Sequence, residues 1–329
     1  MSKAPSSEDV ITILEAAYRV TLPEAEWMDG VLSACAPFLR HGMGTFGYLF
    51  DASGPMLKTG LMRSVPRAEP MEQAMRAMVE NVPREYVERT WLHEPFGHAS
   101  DIPGSTEILV AAGAPFRDVL AINGFDPSGH GIWVGTPLPA TGKHDARSTV
   151  RWTRVAAHLG AAYRIRRRLE APRDPSVGAD AVAAPDGKLA HAEGDASTAD
   201  ARETLARAIV AVDRARTTSE RASEESLSAW RAMVGARWSL VDHVDTDGRR
   251  YVVIRSNEVH VGDVADLSRR ERQVLALLAI GHTTKVVAYE LGITETTVRV
   301  LILKAMRKLG ARSREELVAR FRAATDPPR

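Results

Sequence analysis

The sequence predicts a multi-domain chain in which an α+β region is followed by an all-α domain of four short helices. Three observations carry this prediction. Helical periodicity alternates with β-rich runs up to about residue 256. A stretch rich in Pro, Gly, Ala, Asp and Ser, 171–200, interrupts that region. From Leu267 to Arg322, each helical segment carries its own start and stop residues. With 329 residues, 44% hydrophobic and 26% charged, the chain can bury two or three ordinary cores. No repeat of fixed period is present, so a solenoid is not expected.

Val10, Ile13, Leu14 and Ala17 recur at helical spacing behind Ser6 and Asp9, and Trp27, Val31, Leu32 and Cys35 repeat the pattern after Pro23, so two helices open the chain. "GTFGYLFDASGPM" alternates and turns at Ser53-Gly54, and "VLAINGFDPSGHGIWVGTPL" is a hairpin about Asp126-Pro127-Ser128-Gly129. Helix-like sequence including "PREYVERTWLH" lies between them. A long helix follows over Thr149 to Glu170, with Val155, Leu159, Ala162 and Leu169 towards one side; its Arg-rich end, "RIRRRLE", reads as a solvated face, with a position beside DNA or a second subunit as the alternative. Linker composition places one joint near 172–180. Beyond it come two short runs about Asp186-Gly187, a helical segment around 200–234 and a hairpin about Asp247-Gly248. A second joint falls at 257–266, which divides the chain into units 1–171, 180–256 and 263–325.

In the last unit Ser268 with Glu271 forms a capping box for a helix ended by Gly281. Thr283 caps "TKVVAYELG", Thr294 caps "ETTVRVLILKAMRKL" up to Gly310, and Ser313 with Glu316 caps a fourth helix. The short "ELGIT" connection is the Gly-containing turn of a helix-turn-helix. Between Leu267 and Arg322 twelve lysines and arginines face five acids, a surplus of seven positive charges in a chain whose net charge is +1. The rest of the chain is therefore acidic, and the basic end is a distinct electrostatic object suited to an anion. At about 100° per residue, Val298, Ile302, Ala305 and Leu309 fall on one stripe of the third helix, flanked by Leu301 and Met306. Thr296, Arg299, Val300, Leu303, Lys304 and Arg307 occupy the other side.

"LSRRERQVLALLAIGHTTKVVAYELGITETTVRVLILKAMRKLGARSREEL" resembles the DNA-binding domain of LuxR-type (GerE-like) transcription regulators over about one sixth of the chain. The resemblance implies a four-helix domain that dimerises, often through its last helix, and lays its third helix in the major groove. Carried over by position, Thr296, Arg299, Val300 and Leu303 would face bases with Leu301 close by. Thr283, Thr284, Lys285, Thr297, Lys304 and Lys308 would lie near phosphates. The chain departs from the family at Leu301, where histidine is common, and at Leu303, which is often polar. Region four of a sigma factor has a similar pattern, but the capped fourth helix continues past its usual end. In arrangement, residues 1–171 resemble a GAF- or PAS-type sensory fold and 180–256 a reduced PAS-like unit; the first is either a sensor or a dimerisation scaffold.

Other chemistries lack their residues. "HEPFGH" sets His93 and His98 five apart across Pro95 and Gly97, unlike a helical zinc motif. "HVDTDG" would need oxygen ligands at His243 and Ile254 to be a calcium loop. Cys35 is the single cysteine and reads as a core hydrophobe. No early strand ends in the paired acids of a phosphoacceptor receiver, and the spaced aromatic and acidic pattern of an acyl-homoserine-lactone sensor is not recognised. No catalytic constellation, metal site or cofactor is therefore expected. No apolar run approaches the roughly 18 to 20 residues of a membrane span, and "MSKAPSSEDV" lacks a basic start with an apolar signal segment, so a cytoplasmic protein is expected. The expected partners are double-stranded DNA, a second copy of the chain, a small-molecule ligand within residues 1–171, and RNA polymerase. The competing classes are an enzyme built on a GAF- or PAS-like fold and an interaction adaptor without DNA affinity.

Overall fold

The computed structural model describes residues 7–39, 43–52, 57–80, 95–111, 114–168, 179–215, 238–244, 250–256 and 267–325. It opens with the two expected helices, α1 (Ser7–Ala17) and α2 (Glu24–Cys35). The periodic residues Val10, Ile13, Leu14 and Ala17, and Trp27, Val31, Leu32 and Cys35, are all buried. Trp27 ties the pair together by donating its indole N–H to the Ala17 carbonyl at 2.7 Å. Burial pushes the Cys35 thiol up to about 12, which leaves it inert core.

Strands β1 (Thr45–Asp51), β2 (Lys58–Val65), β3 (Phe96–His98), β4 (Asp118–Phe125) and β5 (His130–Leu138) form an antiparallel sheet in the order β2-β1-β5-β4-β3. The β4–β5 hairpin turns where expected: Asp126 accepts from the Ser128 N–H at 2.8 Å, and Gly129 takes a φ of +89°. The Ser53-Gly54 turn and the "PREYVERTWLH" segment lie outside the described residues. Strand alternation sends Leu49, Ile122 and Ile132 to one face, where they join α1, α2 and α5 (Ala146–Arg168). Tyr48, Phe50 and Trp133 point to the opposite face, under Met75 and Val79 of α3 (Glu69–Glu80) and Leu109 of α4 (Ser105–Ala111). The result is a helix–sheet–helix sandwich.

Helix α5 is the expected long helix, begun three residues earlier, with Val155, Leu159 and Ala162 buried; Leu169 lies outside the described residues. It reaches the sheet through glycines. A Cβ on Gly124 would stand 2.6 Å from the Gly160 amide nitrogen and 2.9 Å from the Ala156 carbonyl oxygen, so β4 and α5 meet backbone to backbone. The Arg-rich end departs from the solvated face that its charge suggests. Arg164 is buried and paired with Asp126, and Arg166 donates to the Val20 and Leu22 carbonyls while its guanidinium lies 5.3 Å from the Trp27 ring centre. A run of like charge gives no hint that unsatisfied carbonyls and a buried carboxylate await it.

A second antiparallel sheet, β7-β6-β9-β8, is made from β6 (Ala181–Ala183), β7 (Leu189–Ala192), β8 (Trp238–Val244) and β9 (Arg250–Ser256). The turn at Asp186-Gly187 is formed, with Gly187 at φ +86°; the Asp247-Gly248 turn is outside the described residues. Helix α6 (Ala199–Ala215) buries Leu205, Ile209 and Val212 in the same hydrophobic cluster that contains α1, α2 and α5. This small unit thus borrows core from its neighbour. The chain closes with α7 (Arg269–Ala279), α8 (Thr284–Leu291), α9 (Glu295–Leu309) and α10 (Arg314–Thr325). Among the described residues no helix is long and apolar enough to cross a membrane.

Gly124→Ala should lower stability by about 1 to 3 kcal/mol, because a methyl group cannot enter a backbone-to-backbone contact without moving the helix. Gly30→Ala, in a helix with nothing within 4 Å of its added Cβ, should instead gain about 0.5 to 1 kcal/mol. Urea unfolding of the two variants checks both signs.

Candidate nucleic-acid interface

Local capping builds the basic domain. The Ser268 hydroxyl accepts from the Glu271 N–H while the Glu271 carboxylate accepts from the Ser268 N–H at 2.7 Å, a closed capping box for α7. Thr283 and Thr294 accept from the Val286 and Thr297 N–H groups to start α8 and α9, and Ser313 accepts from Glu316 to start α10. Gly292 and Gly310 end α8 and α9 in the left-handed region, at φ +63° and +65°. Gly292, Ile293 and Thr294 alone separate α8 from α9, so the second helix is turned out from the first.

Helix α9 divides by angle. Val298, Ile302 and Ala305 are buried against Val274, Leu278, Val287 and Leu317, and Leu301, Met306 and Leu309 sit half-buried at the margins. Thr296, Thr297, Arg299, Val300, Leu303, Lys304 and Arg307 are exposed. Val300 and Leu303 keep 44% and 53% of their surface in solvent, although both are large and apolar. The Arg299 side chain is 70% exposed and pairs only loosely with Glu295, at 3.6 Å.

The residues matched to phosphate contacts divide as well. Thr283, Lys285, Thr297 and Lys304 are exposed, and Thr284 is half-buried beside Arg314. Lys308 is committed elsewhere: its ammonium donates to the buried Glu271 carboxylate at 2.8 Å. Burial would raise that carboxyl, but hydrogen bonds from Lys308 and Ser268 hold it below its usual range. Other cations brace the fold, Arg314 donating to the His282 carbonyl at 3.1 Å and Arg320 to the Leu309 carbonyl at 2.6 Å. The surplus of charge therefore overstates the number of cations on the outer face of α9.

Sequence patterns did not reveal the docking of α8 on α5. Tyr289 of α8 meets His158 Nε2 at 2.9 Å, and His158 Nδ1 meets the Tyr18 hydroxyl of α1 at 3.2 Å. Both tyrosine rings stand edge-on to the imidazole, and the Arg154 guanidinium lies 5.9 Å from the Tyr289 ring centre. The helix preceding α9 is thereby anchored, while the outer face of α9 stays open. A second missed feature is a cavity of about 180 Å³ between the first sheet and α3–α4, walled mainly by apolar side chains. Below it Asp118 accepts from the Ser100 and Gly142 N–H groups at 2.9 and 3.0 Å and lies 3.2 Å from His98. Burial alone would raise this carboxyl; the hydrogen bonds from His98, Gly142 and Ser100 bring it down to about 2.

Residues 265–321 match the family described as "Bacterial regulatory proteins, luxR family". The chain is 50% identical over 52 residues to the spore germination protein GerE of Bacillus subtilis, covering 16% of this chain and 70% of that protein. It is 37% identical over 109 residues to the HTH-type transcriptional activator RamA of Corynebacterium glutamicum, covering 28% and 39% of the two chains. It is also 49% identical over 55 residues to the transcriptional regulatory protein FixJ of Azorhizobium caulinodans, covering 17% and 26%. The chain thus spans well under half the length of RamA and FixJ.

Burial, with the nearby Arg154 charge, brings His158 from 6.5 down to about 3. The unfolded chain takes up a proton below about pH 6.5 that the folded chain refuses, so the stability tied to this ring is full above that pH and is lost as pH falls towards 3. The expected loss from this one group approaches tenfold in the folding equilibrium per pH unit. Comparing urea midpoints at pH 7 and pH 5 should show a smaller drop for His158→Gln than for the unaltered chain; equal drops would mean that the ring is not held neutral.

Proposed function

The chain belongs to the LuxR family of bacterial regulatory proteins, and on that basis we propose a homodimeric, cytoplasmic, sequence-specific regulator that reads DNA with α9 in the major groove. Its coarse activity follows from the family: it is a DNA-binding transcription regulator. The observation that carries the finer reading is the outer face of α9, where Val300 and Leu303 stay exposed between Arg299 and Lys304. Exposed leucine and valine on a basic helix gain nothing from water; thymine methyl groups in a groove offer them an apolar partner. Arg299 reads guanine through O6 and N7, exchanging a loose surface pair with Glu295 that is worth at most about 1 kcal/mol. Thr296 reaches a base edge, and Leu301 borders that surface from the core margin. Thr283, Thr284, Lys285, Thr297 and Lys304 hold phosphates, with Lys308 joining them only if it leaves Glu271.

In this reading the units are 1–171, 180–256 and 263–325. Two copies associate through α10, and RNA polymerase is the machinery that the bound dimer addresses. The N-terminal region senses a ligand or partner; the mainly apolar cavity favours a ligand over catalysis.

Titrating the full chain against duplex DNA should give log–log salt plots with a slope of about −0.9 per phosphate neutralised by a cation, so roughly −2 per subunit for Lys285 and Lys304 and roughly −4 for the dimer. A flat plot would sink the proposal. Arg299→Ala should cost about 1 to 3 kcal/mol at one base pair, whereas Lys304→Ala should weaken all sequences alike and reduce the slope by about 1 per subunit. Replacing thymine by uracil in the half-site should cost about 0.8 kcal/mol per buried methyl, and Leu303→Ala with Val300→Ala should abolish that difference.

A further inference from the structure

Across the first sheet, Met62, Tyr48, Trp133 and Asn123 form one row, each opposite the next in register. Tyr48 and Trp133 stack, with ring centres 5.0 Å apart and planes 17° from parallel. The cavity lies against Tyr48, Trp133 and Asn123 of this row, flanked by Met75, Met78 and Val79 of α3 and Leu109 of α4. At about 180 Å³ it has room for one benzene-sized ring, which an apolar protein cavity of roughly 150 Å³ accepts. Three ring nitrogens of its lining are sealed from water: His98 Nδ1, which stands 3.2 Å from the Asp118 carboxylate, and Trp133 Nε1, on a side chain 3% exposed, and His144 Nδ1, the last two without a hydrogen-bond partner among the described residues. An indole N–H can only donate, so it calls for an acceptor; a histidine nitrogen can take or give. His144 also stacks on His98 at 5.3 Å and stands 3.9 Å from the Asp101 carboxylate, too far for a hydrogen bond but near enough to repel an anion.

We propose that this cavity binds an uncharged, single-ring aromatic molecule carrying a hydrogen-bonding oxygen, its ring among the Met75, Met78 and Leu109 side chains and its polar group towards Trp133 and His144. This deepens, and rests on, the reading of the N-terminal region as a sensor. Thioethers fit an aromatic ring edge, and Met75 and Met78 both line the cavity. An anionic ring meets the Asp101 carboxylate of the lining; a cationic one loses its hydration against apolar walls.

Benzamide is the probe, its carbonyl an acceptor for Trp133 and its amide a donor for His144. Benzoate has the same shape with a charge, and cyclohexanecarboxamide the same polar group without the flat ring. Calorimetry with the full chain should show benzamide binding at least tenfold more tightly than benzoate and several-fold more tightly than cyclohexanecarboxamide. Trp133→Phe, which keeps a ring and removes the donor, should weaken it about fivefold, the usual scale of one neutral hydrogen bond. Met75→Trp should fill the cavity and abolish binding, with Leu109→Phe as a second filling variant should the first not fold. No benzamide binding, binding unaffected by either filling variant, or equal affinity for benzoate would overturn the assignment. DNA affinity with and without benzamide separates the two layers. Binding with no change in DNA affinity leaves the site standing and removes its sensory role; cyclohexanecarboxamide alone binding and shifting DNA affinity removes the aromatic class and keeps the sensor.

Discussion

The fold hangs on the burial of one helix, Ala146–Arg168, which is wrapped on nearly every side. Its contact with β4 is possible only because Gly124 and Gly160 put no side chain between strand and helix. Such proximity leaves no room for water, so each polar group along the helix must find a protein partner. Arg164 takes the Asp126 carboxylate of the β4–β5 turn, Arg166 takes two carbonyls of the α1–α2 connection, and His158 takes two tyrosines. The sheet turn, the first two helices and the basic domain are thereby held to a common scaffold.

The character of the last of these attachments differs from the others. Arg164 and Asp126 are buried charges that cannot be separated without leaving one uncompensated, a cost of several kcal/mol. Tyr289 and His158 are neutral groups joined by one hydrogen bond and an edge-on ring contact, worth about 1 kcal/mol each. The weaker attachment sits between the helix-turn-helix and the rest, and the stronger ones sit within the sandwich.

How much could be read in advance depended on whether the determinant was local. Ser268, Thr283, Thr294 and Ser313 act on residues three positions ahead, so their caps are visible in sequence and are formed in the structure. The core stripe of α9 follows from helical geometry, and Val298, Ile302 and Ala305 are buried accordingly. The hairpin about Asp126 is likewise set by four consecutive residues. Strand order joins β1 to β5 across more than eighty residues of chain, and no local pattern encodes that choice. The inward arginines and the Glu271–Lys308 pair were illegible for the same reason, since a charged side chain shows its partner only once the chain has folded. The cavity was hidden twice over: the row beneath it draws on four strands, and the side chains facing that row come from α3 and α4.

The division of labour among the cations bears on how the basic domain meets DNA. A count of twelve lysines and arginines suggests a broad electrostatic contact, yet Lys308, Arg314 and Arg320 close helix ends or satisfy a buried acid. Tying these long side chains down fixes the angle between α7, α9 and α10, and so fixes which residues of α9 stand outward. Precision in the few outward residues matters more for sequence readout than total charge, because phosphate attraction is indifferent to base identity. A helix whose outer face mixes one arginine with a valine and a leucine can therefore be selective with few hydrogen bonds, provided that its neighbours hold it still. The internal arginines and lysine supply that rigidity, and they leave Val300 and Leu303 exposed beside Arg299 on the outer face.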